Sequence, residues 1–179
     1  MTQPTAATAS SGSPISTKPD ARTRYLETYR REVATTKKVL RAFPAERADL
    51  RPSERSNDAK TLAFTFVLES AMALKVLRGE KLMGGAFPTA PDTWEQTLAE
   101  FDRVTREMES ELAKASPHLD GTVQFFTGPK QMGDYTLEDF LWFMLHDQIH
   151  HRGQLSVYVR MAGGKLPSIY GPSADEPWN

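Results

Sequence analysis

The sequence predicts an all-α fold, a four-helix bundle. Four long stretches repeat apolar side chains at three- and four-residue intervals, the period of an amphipathic helix. Each begins at a residue that can cap a helix, and glycine or proline lies beyond each of the first, second and fourth. Strand-like alternation is nearly absent. Helices of this kind bury their apolar stripes against one another.

Asp20 caps the first helix, which runs to about residue 43 with Tyr25, Leu26, Tyr29, Val33, Val39, Leu40 and Phe43 on one face; Pro44 ends it. A polar loop covers residues 45–57. Asp58 opens the second helix, to about residue 78, and its Leu62-Ala-Phe-Thr-Phe-Val-Leu68 run is apolar enough to be mostly buried. Gly79, Gly84, Gly85, Pro88 and Pro91 mark a loop. Asp92-Thr-Trp-Glu95 has capping-box spacing and opens a third helix to about residue 115. Its stripe is Trp94, Leu98, Phe101, Val104, Met108 and Leu112. Residues 116–135 read as irregular, with a short extended piece at 122–126. Thr136-Leu-Glu-Asp139 caps the fourth helix, and Gly163-Gly164 stops it. Residues 165–179, with Pro167, Pro172 and Pro177, are expected to form a coil packed on the domain. Residues 1–19 are Ser, Thr, Ala and Pro with no apolar period and read as a flexible tail. Residues 20–179 then form one domain without internal repeats.

Composition narrows the function classes. The chain has 179 residues, a net charge of −1 and no cysteine. Disulfides, thiolate ligands and a protein thiol nucleophile are excluded. The charge gives no basis for binding nucleic acid through phosphate contacts. No apolar run is long enough to span a bilayer, and the start lacks the pattern of a signal peptide. A soluble cytoplasmic protein is expected.

The chemistry concentrates in His146-Asp-Gln-Ile-His150-His151-Arg-Gly-Gln154, which holds three of the four histidines. His146 and His150 are four apart and share a helix face. Their stripe is Phe143, His146, His150, Gly153, Val157 and Met161, apolar apart from the pair and glycine. Two imidazoles so placed can grip one transition-metal ion; the competing reading is a pair of core histidines bonded to carbonyls. His151 points about 100° away from His150 and reads as a rim residue paired with Asp147. His118 reads as exposed. A third ligand should come from another helix, and Glu69 is the candidate. It lies on the stripe Leu62, Phe66, Glu69, Ala73 and Val76, where a carboxylate needs a cation or a metal. The competing readings are a buried salt bridge or an outward Glu near Lys75 or Arg78. Asp147, Arg152, Gln154 and Tyr158 are candidate substrate or supporting groups, or surface polar residues. His146-Asp-Gln-Ile-His150 also approaches the H-E-x-x-H protease pattern, with Asp one methylene short of the usual base.

The stretch His146-x-x-x-His150-x-x-Gly-Gln154, followed by Val157, Arg160, Met161 and Gly163-Gly-Lys-Leu-Pro-Ser-Ile-Tyr-Gly-Pro-Ser-Ala-Asp-Glu176, resembles the DinB/YfiT-like family of candidate metalloenzymes. That family is distinct from the similarly named polymerase. The resemblance covers residues from about 21 to the end. It implies a four-helix bundle with a metal held by three histidines, one from the second helix and two from the last. The last pair matches His146 and His150. The first is absent, and the alignment puts its place near Leu68 or Glu69. A Glu69, His146, His150 set would suit zinc, nickel, iron or manganese. Some relatives are thiol transferases, so the resemblance implies a metal-dependent transferase or hydrolase acting on a small thiol or another small molecule. The alternative is a non-catalytic, stress-related binding or dimerising protein with a structural or vestigial metal. A homodimer is expected.

Overall fold

The computed structural model describes residues 19–83, 86–114, 119 and 121–178. Residues 1–18 of the tail read at 1–19, and the exposed loop position of His118, lie outside the described residues. Four helices form: α1 (Ala21–Ala42), α2 (Ala59–Leu77), α3 (Trp94–Ala113) and α4 (Leu137–Met161). Their starts follow from side chains that satisfy otherwise orphaned backbone donors. Asp20 accepts from the Thr23 amide and Asp58 from the Thr61 amide, each at 2.8 Å. Thr136 accepts from the Asp139 amide. The third cap lies one residue later than the sequence suggested. Thr93 and Gln96 make the reciprocal capping box, because the Gln96 amide oxygen reaches back to the Thr93 amide.

The fold is not strictly all-α. Thr122–Gly128 (β1) and Gln131–Thr136 (β2) pair as an antiparallel hairpin. The sequence reading found only an extended piece at residues 122–126. Both strands are largely exposed, so no sustained apolar alternation announces them. Their inward contacts are local: the Phe125 ring meets Phe140 edge-on at 5.3 Å, and Tyr135 meets it at 6.4 Å. A 3₁₀ turn at Ala45–Arg47 also interrupts the loop after α1.

α1 packs on α3 and α4, and α2 packs on the same two helices. α1 and α2 therefore sit across the bundle from each other, as do α3 and α4. The core holds the expected faces of the first three helices, including Tyr25, Tyr29, Val33, Phe66, Phe101, Val104, Met108 and Leu112. Leu26 and Leu98 are only partly buried.

The fourth helix differs. Its core face is Phe140, Leu141, Met144, Leu145, Gln148, Arg152, Leu155, Tyr158 and Val159. The stripe expected to be buried is outside: Phe143 is 37%, Val157 55% and Met161 47% exposed. This helix carries apolar residues on two neighbouring faces, and only one can meet the bundle. The leucine-rich face takes that place.

Arg152 fastens α4 to α1 and to the C-terminal coil. Fully buried, it donates to the Glu32 carboxylate at 2.7 Å, the Glu32 carbonyl and the Thr36 hydroxyl. The Tyr170 hydroxyl bonds to both Arg152 and Glu32. Leu166 and Ile169 pack on the core, as expected for a docked coil. Gly163 takes φ +82° at the end of α4. Gly164 follows because a Cβ there would lie 2.5 Å from the Ala42 carbonyl.

Candidate metal centre

Glu69 sits on the inner face of α2, among Leu62, Phe66, Ala73 and Val76, all of which are buried. It is itself only 3% exposed. The helix phase that buries this face turns the carboxylate toward α4. There, His151 Nδ1 lies 2.9 Å from Glu69 Oε1 and 3.9 Å from Asp147 Oδ1. One ligand atom from each of Glu69, Asp147 and His151 lies within 4.8 Å of the others. The edge of Phe66 packs at 6.4 Å against the His151 ring. Below them, Gln148 donates to Ser70 at 3.0 Å, tying α4 to α2.

This is the one group of three or more potential ligands found among the described residues. Glu69, His146 and His150 do not form such a group. Both of these histidines lie on the exposed face of α4. His146 stacks on Trp142 at 5.9 Å, and the Gln154 side chain is 2.9 Å from His150 Nε2. Sequence reasoning put the helix about 100° out of phase. It did pair Asp147 with His151, and it placed Glu69 on an inward stripe. The signal that could have joined them is Leu141, Leu145 and Leu155, which set the buried face. The protease-like pattern loses its geometry as well, since Asp147 turns toward His151 and its flanking histidines toward solvent. Lys75 and Arg78 are not partners of Glu69: Lys75 lies 3.7 Å from Glu80, and Arg78 pairs with Glu107 and Glu111.

Burial pushes the Glu69 carboxyl up to about 7, against the opposing pull of His151. The bond to Glu69 in turn holds His151 above its usual value, with burial opposing it. Each group therefore holds a proton more readily here than it would in the unfolded chain. The site leaves one acceptor over. Glu69 Oε2 is buried and has no hydrogen-bond partner among the described residues. A divalent cation fits this donor set, with two carboxylates and one imidazole facing each other and an unused carboxylate oxygen.

His151 also lines an open cleft of ≈ 550 Å³. Gln154 and Tyr158 of α4 form one wall, and Arg55, Ser56 and Asn57 of the loop before α2 form another. Tyr158 holds the walls together by donating to the Asn57 carbonyl at 2.8 Å. Of the candidate substrate groups, Gln154 and Tyr158 reach the cleft, and Arg152 is committed to the core.

Fold and site together define a helical-bundle protein with a half-buried carboxylate–histidine cluster, Glu69 at its inner end, beside a cleft. The chain belongs to the DinB family, whose sequence pattern matches residues 16–178. A DinB-like protein of Bacillus subtilis, YjoA, has a crystal structure similar at a TM-score of 0.63 and 18% identity, covering 82% of this chain and 97% of that one. A DinB-like protein of Bacillus cereus is similar at 0.65 and 21%, covering 82% and 95%. These likenesses concern the fold. The uncharacterized protein YrdA of Bacillus subtilis is 50% identical over 36 residues, 20% of this chain and 22% of YrdA. No helix among the described residues is long and apolar enough to cross a membrane.

Proposed function

We propose that this DinB-family chain binds a divalent transition metal through Glu69, Asp147 and His151 and acts as a metal-dependent enzyme, a thiol transferase or a hydrolase. The observation that carries the reading is the buried, unpartnered Glu69 Oε2 beside a histidine that opens onto a cleft. Zinc, nickel, iron and manganese all accept this donor set; two carboxylates favour the harder ions. A bound ion would lower the pKa of a small thiol or of water and hold it near an electrophile. The chain's own part is to position and to shield. Phe66 keeps one side of the His151 ring dry, and Gln148 with Ser70 locks α4 against α2. Arg55, Ser56 and Gln154 offer polar contacts to a substrate in the cleft.

Metal analysis of the purified protein tests the site. Wild type and His150→Ala should carry the ion, whereas Glu69→Ala and His151→Ala should lose it. Equal metal in all four would remove this trio from consideration. Turnover of an electrophilic test substrate, with and without added thiol, then separates transferase from hydrolase. A second reading has its own support: His151 Nδ1, 2.9 Å from Glu69 Oε1, already partners one of the two carboxylate oxygens without an ion. In that case the protein is a non-catalytic binding protein. Metal-free protein with unchanged stability and no turnover would favour it.

A further inference from the structure

The cleft beside His151 has fixed charge of one sign on its walls. Arg55 lines it, and no aspartate or glutamate does. Two other clefts among the described residues lack this balance. The one between the end of α2 and β1 sets Glu80 beside Lys81, and the one beside Trp94 sets Asp49, Asp58, Asp92 and Glu95 against Lys60. The backbone that carries Arg55 is firmly held. The Ser56 amide donates to the Ser53 carbonyl at 3.0 Å, closing a turn with Glu54 and Arg55 at its corner. The Ser53 and Ser56 hydroxyls bond across it at 3.0 Å, and Tyr158 holds the Asn57 carbonyl from α4. The neighbouring Arg51 is neutralised by Asp58 at 3.0 Å. Arg55 is exposed and pairs with no carboxylate among the described residues. Leu62 and Val157 give the same cleft an apolar lining.

We propose that the cleft binds a small organic carboxylate, its anionic end on the Arg55 guanidinium and its apolar body against Leu62 and Val157. A guanidinium offers a planar fork of donors that matches a carboxylate with two parallel bonds. A monoanion suits the cleft better than a phosphate dianion, because Arg55 is its one fixed positive charge. The amide donors at the start of α2 give no further help, since Asp58 already caps them. The Ser56 hydroxyl and the Gln154 amide remain for other polar groups of the ligand. Held on the loop wall, the ligand faces the α4 wall, where His151 opens into the cleft. Arg55 is thus a specificity-determining residue that sets the reacting end of the substrate toward the Glu69–Asp147–His151 trio. That role rests on the metal-dependent function proposed above. The carboxylate contact itself does not, since neither Arg55 nor the apolar lining belongs to the trio.

The probes are hexanoate and 3-phenylpropionate, titrated into the full chain both metal-loaded and stripped of metal, with the NMR methyl signals of Leu62 and Val157 as readout. Both acids should shift these signals with a Kd on the order of 1 mM. The amide of 3-phenylpropionate should bind about fivefold more weakly or worse, and Arg55→Gln should weaken both acids by the same factor. Arg55→Lys, which keeps the charge and loses the fork, should fall between. Lys38→Gln, at an exposed cation on α1, should leave binding intact. Arg55→Gln should keep the circular dichroism and the metal content of wild type, so loss of the acid is separable from loss of the ion. Wild type that holds no metal and still binds the acids through Arg55 would remove the enzymatic reading and leave the carboxylate site standing. Four results overturn the proposal. They are no shift up to about 20 mM acid, equal binding of acid and amide, tighter binding of phenyl phosphate than of the acids, and binding that survives Arg55→Gln but disappears with the metal. The last would show that the carboxylate ligates the ion instead.

Discussion

At the scale of single residues, Glu69 and His151 make the bundle sensitive to pH. Both take up protons more readily in the folded protein than in the unfolded chain. Their joint contribution is therefore full below the ordinary Glu value of 4.5 and is lost as the pH rises through about 7. Protein stripped with a chelator should be less stable at pH 8 than at pH 6, Glu69 alone contributing about 1–2 kcal/mol of the difference. Glu69→Gln should flatten the slope. Saturating divalent metal should reverse its sign, since the ion binds the deprotonated site. A melting profile independent of pH across this window would show that the pair is not coupled to folding. Arg152 allows a sharper test. Removing it leaves the Glu32 carboxylate without its buried partner, so Arg152→Ala should cost about 3 kcal/mol or more in denaturant unfolding. A loss below about 0.5 kcal/mol, the size of an ordinary surface change, would mean that the clamp is dispensable.

At the scale of the element, α4 separates what the sequence made legible from what it hid. The caps at Asp20, Asp58 and Thr136 were readable because a short polar side chain before an apolar run has one local job. The inner faces of α1 and α3 were readable because each helix has a single apolar stripe. α4 has two, and period alone cannot choose between them; the choice is made by the shape of the surrounding helices. For the same reason the glutamate was legible, and its partners were displaced by one residue. The phase can be checked by truncating each face. Leu155→Ala should destabilise by about 2–4 kcal/mol, as a buried leucine does. Val157→Ala should change monomer stability by less than about 0.5 kcal/mol. Reversed magnitudes would restore the outer stripe to the core.

At the scale of the whole molecule, the C-terminal coil is part of the fold. Leu166 and Ile169 rest on the core, and Asp175 accepts from the Leu166 amide at 3.0 Å. Trp178 donates to Ser168 at 3.0 Å, so the segment folds back on itself as well as on the bundle. Ending the chain after Gly164 removes the Tyr170 contacts to Arg152 and Glu32. Such a protein should lose about 2 kcal/mol or more, in line with burial of two aliphatic side chains, and should bind more of an apolar dye. Unchanged melting would make the coil a passive appendage. The hairpin was the least legible part of the molecule, since its strands are held by pairing with each other and by a few aromatic contacts at the start of α4.

The diagonal placement of α1 opposite α2, and of α3 opposite α4, has a kinetic consequence. In an up-and-down bundle each helix can dock on the one made just before it. Here, of the three successive helix pairs, only α2 and α3 touch broadly. Both faces of α1 must wait for helices much later in the chain, and long loops must close before those contacts are gained. The folding nucleus should accordingly lie where α2 meets α3, around the edge-on contact of Phe66 and Phe101 at 6.0 Å. In stopped-flow experiments Phe101→Leu should slow refolding, whereas Tyr25→Phe on α1 should mainly speed unfolding. The opposite partition would place the first docking event at α1.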